Sequence, residues 1–264
     1  MDRLTPEVTS PWAALDLTDA PAEGPVAFCD DLSPASLLDA YRHGLYPFPA
    51  DTEEQQIMHE ITAGDDIDAG RVRVIDDTRD DGNPYAVAWC SPDPRPVIFV
   101  DQLRIQRSLA QQLRNKVEWT TTLDACFERV VHQCRVGRTP QWLTDGLVAG
   151  LCRLHEAGHA HSAEVWDGDE LVGGTFGVRV GGVFSADSQF ALRSGAAKVA
   201  VACLARRVAD SGGIAVDVQH DGGHARLLGA VTIPRSRYLD LLAANAGVRA
   251  ALPSDPQPAR GLAA

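Results

Sequence analysis

Val172-Gly173-Gly174-Thr175-Phe176-Gly177-Val178 runs through Gly181-Gly182-Val183-Phe184 into Ala186-Asp187-Ser188-Gln189-Phe190. Apolar, β-branched and aromatic residues on both sides of Gly181-Gly182 read as two strands joined at a turn. An Ala- and Val-rich helix is expected next, over 196–210, closed by Gly212-Gly213. Residues 214–218 return as a strand that ends Val216-Asp217-Val218-Gln219. Side chains two apart in a strand share a face, so Asp217 and Gln219 are placed together. Polar groups at the end of an apolar strand are costly to bury without partners. Asp187, at the end of the preceding strand, supplies a second carboxylate.

Upstream of this stretch, Asp167-Gly168 reads as the turn of a hairpin between 163–166 and 170–180. Thr144-Asp145 caps a helix that continues to Ala157 and stops at Gly158. Helices are also expected over 35–43, 108–116 and 123–133, and strands over 85–89, 97–100 and 119–122. Ser91-Pro92-Asp93-Pro94-Arg95-Pro96 reads as a break, and Leu45-Tyr46-Pro47-Phe48-Pro49 as a Pro-locked, non-helical segment. Residues 1–25 read as a loosely held tail. Residues 51–82, with their repeated Glu and Asp pairs, read as an acidic surface loop with a short strand near Val72 and Val74. Downstream, a short helix is expected over 223–228 and a last helix over 235–244. The order predicts an α+β protein: a small N-terminal α/β domain over 1–95 with an acidic insertion at 51–82, a domain over 96–250 with a mostly antiparallel sheet, and a tail over 251–264.

Composition narrows the function classes. The 264 residues contain no apolar run long enough for a membrane span, and the first residues lack a signal-peptide pattern, so a cytoplasmic protein is expected. Six scattered cysteines with no C-x-x-C pair read as free thiols. Taken alone, the net charge of −12 argues against a nucleic-acid binder. Locally, Arg104, Arg107, Arg114 and Lys116 occupy a stretch without an acid from 104 to 117. Such a stretch is either a solvated helix face or a site for a phosphate backbone.

His155-Glu156-Ala157-Gly158-His159 matches the H-E-x-x-H zinc pattern, which needs both imidazoles on one helix face. Gly158 sits where a helix-ending glycine belongs and carries His159 off that face. No metal is therefore expected. The Gly pairs form neither a phosphate-binding loop nor an R/Q-x-x-G-x-G/A pyrophosphate segment, so no nucleotide or acyl-carrier cofactor is expected. Asp187, Asp217 and Gln219 fit an aminolysis site: one carboxylate for an ammonium proton, and an amide to orient the attacking amine. They fit equally a structural cluster that satisfies loop amides.

Several segments, in order, resemble the leucyl/phenylalanyl-tRNA–protein transferase family. They are Tyr41-Arg42-His43-Gly44-Leu45-Tyr46-Pro47, Ser91-Pro92-Asp93-Pro94-Arg95, Leu151 through Trp166, Leu171-Val172-Gly173-Gly174, Asp217-Val218-Gln219, His224, Leu228-Gly229-Ala230 and Ile233-Pro234-Arg235. The resemblance spans about 28–243, and the acidic segment stands as an insertion. It implies a second domain with an acetyltransferase-like (GNAT-like) fold. It also implies transfer of Leu or Phe from aminoacyl-tRNA to the N-terminal amine of an acceptor protein beginning with Arg or Lys, the N-end-rule reaction of protein degradation, by a monomer without cofactor. Matching the motifs makes Asp217 and Gln219 the catalytic pair, with Asp187 where the family has Glu. Trp142, and Phe48 in place of Trp, would stack the 3′-terminal adenosine. Arg104, Arg107, Arg114 and Lys116 would follow the tRNA backbone.

The residues at the family's amino-acid pocket are Thr175, Phe184, Gln189, Val201, Leu204, Val208 and Val216. Two Met positions have become polar and two Phe positions smaller aliphatics. These departures lead to the expectation of a donor amino acid carrying a polar group. They also keep open the same chemistry on a peptide or small-molecule amine.

Overall fold

The computed structural model describes residues 10–75 and 82–263. The first half of the chain contributes β1 (Pro25–Phe28), α1 (Pro34–Arg42), β2 (Tyr46–Pro49), α2 (Glu53–Asp68), β3 (Arg73–Val74), β4 (Val87–Cys90), β5 (Arg95–Phe99), α3 (Arg107–Asn115), β6 (Thr120–Leu123) and α4 (Phe127–Arg135). The second half adds α5 (Asp145–Glu156), β7 (Ala160–Asp167), β8 (Glu170–Val180), β9 (Val183–Ala191), α6 (Ala196–Asp210), β10 (Ala215–Asp217), α7 (Gly223–Leu227), β11 (Val231–Ile233), α8 (Arg235–Asn245) and β12 (Gln257–Pro258). The strands form a small sheet ordered β2-β4-β1-β3 and a large sheet ordered β11-β5-β10-β9-β8-β7-β6-β12. The protein is thus α+β with mostly antiparallel sheets. In the large sheet β9–β10 is the one parallel pair among the described residues.

The quoted stretch folds as its pattern predicts. β8 and β9 form a long hairpin through Gly181, whose φ of 56° suits glycine. α6 spans the predicted 196–210 and lies flat on the sheet, because its inner face is small: Ala196, Val199, Ala200, Cys203, Leu204 and Val208 are all buried. Gly173 underlies the helix start, where an added Cβ would come 2.6 Å from Ala196. Phe184, Leu204 and Val216, each fully buried in this layer, contribute about 1.5–3 kcal/mol apiece by leaving water. The opposite face of the sheet carries α1, α4, α5 and α8, with Phe176 and Tyr238 among its buried residues.

Three expectations are corrected. Residues 53–68 of the acidic segment are a helix rather than a loop. Thr52 Oγ1 accepts a bond from Gln55 N, and Glu53 and Glu54 sit at the positive end of the helix dipole. Its buried stripe is only Ala63, backed by His59 bonding Tyr85 O at 2.9 Å, so no apolar periodicity marked it. The acidic pairs at 76–81 lie outside the described residues.

The N-terminal segment is packed from residue 10 onward, residues 1–9 lying outside the description. Trp12 is buried with its ring 4.6 Å from that of Trp89. The segment from 251 onward, expected as a tail, is packed as well. β12 pairs with β6, Leu252, Ala259, Leu262 and Ala263 are buried, and the buried Arg207 guanidinium donates to Pro253 O, Asp255 O and Thr121 O.

Among the described residues, no helix is long and apolar enough to cross a membrane.

Candidate active site

β9 and β10 run side by side until Asp217 pairs with Ser185, after which β10 ends. Neighbouring residues on each strand face opposite ways. Phe184 and Val216 point under α6, so Ser185 and Asp217 point to the α1 and α8 side. Beyond this pair β9 bulges: Phe176 pairs with Ser188 and Gly177 with Ala186, leaving Asp187 as the extra residue. Glycine is required at 177, because a Cβ there would fall 1.9 Å from Ser185 O. The bulge re-aims Asp187 toward the residues that follow β10.

Asp217 has no exposed surface and accepts five hydrogen bonds. Arg95 grips it with two, Nε to Oδ1 at 2.9 Å and Nη2 to Oδ2 at 2.7 Å. Ser185 Oγ (2.9 Å) and Tyr238 OH (3.0 Å) donate to Oδ2, and Gln219 N (2.9 Å) to Oδ1. Arg95 is itself buried, donates to Gly44 O, and lies between the rings of Tyr46 and Tyr238 at 5.0 and 4.5 Å. This carboxylate is saturated and dry.

Gln219 departs from the strand expected for it. Its φ is 59°, the left-handed region that non-glycine residues rarely adopt. The Asp217–Gln219 N bond holds that turn and folds the side chain back over β9. There Nε2 donates to Asp187 Oδ1 at 2.6 Å and to Ser185 Oγ at 3.1 Å. Both N–H groups are thereby used, and Oε1 is left without a partner among the described residues. Asp187 also accepts from Tyr41 OH at 2.8 Å. Burial pushes its carboxyl from 3.8 up to about 8, against the opposing pull of the bonds from Tyr41 and Gln219.

Of the expected aromatic pair, Phe48 on β2 and Trp142 in the α4–α5 connection lie with rings 6.1 Å apart and 9° from parallel, both half-buried. The expected pocket residues Thr175, Phe184, Val201, Leu204, Val208 and Val216 are all buried, and the five apolar ones share the α6 layer. Gln189 pairs with Thr175 across β8 and β9 at the edge of that layer. Thr175 does not offer an unsatisfied hydroxyl, because its Oγ1 donates to Ser188 O at 2.9 Å.

The basic residues divide. Arg104, Arg107, Arg114 and Lys116 are all exposed, but Arg114 is also tied to Ala263 O at 2.7 Å. The H-E-x-x-H geometry fails as Gly158 foretold: α5 ends at Glu156, His155 bonds Ala160 O and stacks on Phe127, and His159 lies beyond the helix. Away from this cluster, a groove bordered by Trp12, Arg42, His159, Arg179 and Leu239 runs along α8.

A family model described as leucyl/phenylalanyl-tRNA protein transferase matches residues 97–243. Curated relatives described as leucyl/phenylalanyl-tRNA–protein transferases match most of the chain. One from Xanthomonas axonopodis pv. citri is 35% identical over 238 residues, 89% of this chain and 82% of the relative. One from Chromohalobacter salexigens is 38% identical over 223 residues, 83% and 74% of the two chains. One from Salmonella typhimurium is 36% identical over 222 residues, 84% and 81%. The chain belongs to the leucyl/phenylalanyl-tRNA–protein transferase family.

For a leucyl/phenylalanyl-tRNA–protein transferase family member, the sequence pointed to Asp187, Asp217 and Gln219, and the structure joins all three in one network. It adds Arg95, Ser185, Tyr41 and Tyr238, which no site reading had singled out. Tyr41 and Arg95 lie in segments that carried the family resemblance, but nothing in their local sequence announces a partner 146 or 122 residues away. Tyr238 and Ser185 carry no local signal at all.

Proposed function

We propose that this chain transfers Leu or Phe from charged tRNA to the N-terminal amine of an acceptor protein, and that the Asp187–Gln219 pair does the chemistry. The observation that carries this is Gln219 Oε1, without a partner among the described residues and held beside the buried Asp187 carboxyl, which burial pushes up to about 8. The amine nitrogen attacks the ester carbonyl carbon, forming the C–N bond, and the bond from that carbon to the ribose 3′-oxygen breaks. Gln219 Oε1 accepts one N–H of the attacking amine and fixes its approach. Asp187 takes the proton the amine must lose and returns it to the departing ribose oxygen. A carboxyl poised near the working pH suits both steps. Asp217 acts as a positioning residue: dry and saturated, it sets the backbone turn that places Gln219.

Other features support the same reading. Parallel β9–β10 strands inside an antiparallel sheet, parting at the site, support an acetyltransferase-like fold for 96–250, with 1–95 as the smaller domain. Phe48 and Trp142 would take the terminal adenosine. The α6 layer with Phe184, Val201, Leu204, Val208 and Val216, edged by Thr175 and Gln189, would take the donor side chain. An apolar lining fits Leu or Phe, and with the Thr175 hydroxyl satisfied internally, the expected preference for a polar donor loses half its basis. We place the enzyme in the cytoplasm, as a monomer.

The test is a transfer assay with individually charged tRNAs and peptides beginning with Arg or Lys. Transfer of Leu and Phe is expected. Transfer of neither, with another amino acid consumed, would overturn the assignment.

A further inference from the structure

Arg138 sits in the connection between α4 and α5, four residues before Trp142. Its guanidinium reaches back across the mouth of the β9 bulge. Nη2 donates to Gln189 O at 3.0 Å and to Ser188 Oγ at 3.3 Å, while Nε donates to Cys134 O at 3.2 Å. These three bonds fix the plane of the guanidinium. Nη1 has no partner among the described residues, and the side chain is exposed. Nothing in the α6 layer or the Asp187 network uses this cation. Its anchors flank the site: Ser188 follows Asp187 directly, and Trp142 lies within a chain reach of about 14 Å. A fixed positive charge is therefore anchored on the two residues that follow Asp187, four residues along the chain from Trp142, on a protein whose net charge is −12.

We infer that Arg138 binds the phosphodiester on the 5′ side of the terminal adenosine, and so sets how far the aminoacyl ester extends from the aromatic platform toward Asp187. This rests on the function proposed above. Two anions come within reach of such a cation: the permanent phosphate, and the oxyanion that develops on the ester carbonyl. Oxyanion donors work by being dry and preorganised. Arg138 is exposed, which suits a fully charged, partly hydrated phosphate. The two N–H groups left on Nη1 are held in a fixed direction by the bonds that Nε and Nη2 make, and a charged donor of this kind suits a phosphate oxygen.

Two donors that differ in a single group test this: 3′-O-phenylalanyl-adenosine, and the same compound carrying a 5′-methylphosphate. The wild type is expected to favour the phosphate-bearing donor. In Arg138→Gln that preference should shrink by roughly tenfold to a hundredfold, through KM, and Arg138→Lys should retain part of it. A wild type indifferent to the phosphate would overturn the inference. So would an equal loss on both donors in Arg138→Gln, or a loss confined to kcat, which would mark a structural or oxyanion role. A wild type that uses neither compound nor Phe-tRNA would instead overturn the functional assignment beneath it.

Discussion

Gln219 Nε2 and Asp187 Oδ1 lie 2.6 Å apart, although Gln219 follows β10 and Asp187 is the bulged residue of β9. Each residue is held in an unusual backbone position so that the two meet, one by a left-handed φ and the other by the extra residue in its strand. Gln219→Ala should therefore lower kcat by about 10² to 10³, the loss of about 2–4 kcal/mol of transition-state positioning. Gln219→Gly relieves the left-handed backbone and should be the more stable of the two, with no recovery of rate. Steady-state kinetics beside thermal melts separate these effects, and wild-type rates in both variants would make the pair structural.

Asp217→Asn is expected to act first on stability. It leaves the Arg95 charge buried between two tyrosine rings without its counter-ion. Removing one partner of a buried pair costs about 3–5 kcal/mol. Denaturant titration should show this directly. An unchanged midpoint would show that the Arg95 charge is compensated without the Asp217 carboxylate.

The pH dependence follows from Asp187. Its folded pKa of about 8 lies above the ordinary 3.8. Between those values the folded protein holds a proton that the unfolded chain has lost, so this group's stabilising contribution is complete at low pH and disappears as pH rises through about 8. Transfer, which needs the ionised carboxylate, should rise over the same range and level off above it. The acceptor amine also loses its proton near this pH. The informative quantity is therefore the difference between wild type and Asp187→Asn, in both rate and denaturation midpoint. Parallel profiles would rule out the assigned role.

Binding of charged tRNA should weaken by about 1–3 kcal/mol in Trp142→Ala, the usual cost of losing a stacked base. Reversing Arg104 and Arg107 to Glu should lower affinity and flatten its salt dependence without a change in melting temperature. Arg114→Glu should also destabilise the protein, since Arg114 holds Ala263 O. Filter-binding titrations at several salt concentrations give both quantities. Unchanged affinity in Trp142→Ala would place the adenosine elsewhere.

Gln189→Met should raise kcat/KM for Leu-tRNA and Phe-tRNA by several fold. An amide at the edge of an apolar pocket costs about 1–3 kcal/mol when it finds no partner there, and a thioether adapts to shape. A fall in kcat/KM, measured with each charged tRNA, would show the amide serving the donor.

The hairpin of β8 and β9, α6 and the cap at Thr144 were legible because glycines and capping residues punctuate clear apolar periods. α2 was not, since one buried alanine gives no period to read. Arg95 hid between Pro94 and Pro96 in what read as a break. Pro96 instead occupies β5, and the guanidinium's partner lies on a strand far along the chain. The turn at Gln219 depends on the Asp217 carboxylate, so alternation along β10 could place the two residues together without showing how they join. The Thr175 hydroxyl looked available because its acceptor is a backbone carbonyl, Ser188 O, on the neighbouring strand, which no side-chain pattern announces.

Arg207 gives the C-terminal segment an unusual kind of attachment. Its charge is buried under that segment and neutralised by carbonyl dipoles rather than by a carboxylate, two of the three from residues 253–255. Removing the segment therefore uncaps a cation inside the α6 layer as well as trimming the surface. A stop codon near residue 250, or a protease nick at 251–256, would be felt at the layer that the donor side chain is proposed to enter. For this chain the C-terminus is a poor place to shorten or to splice in a fusion partner.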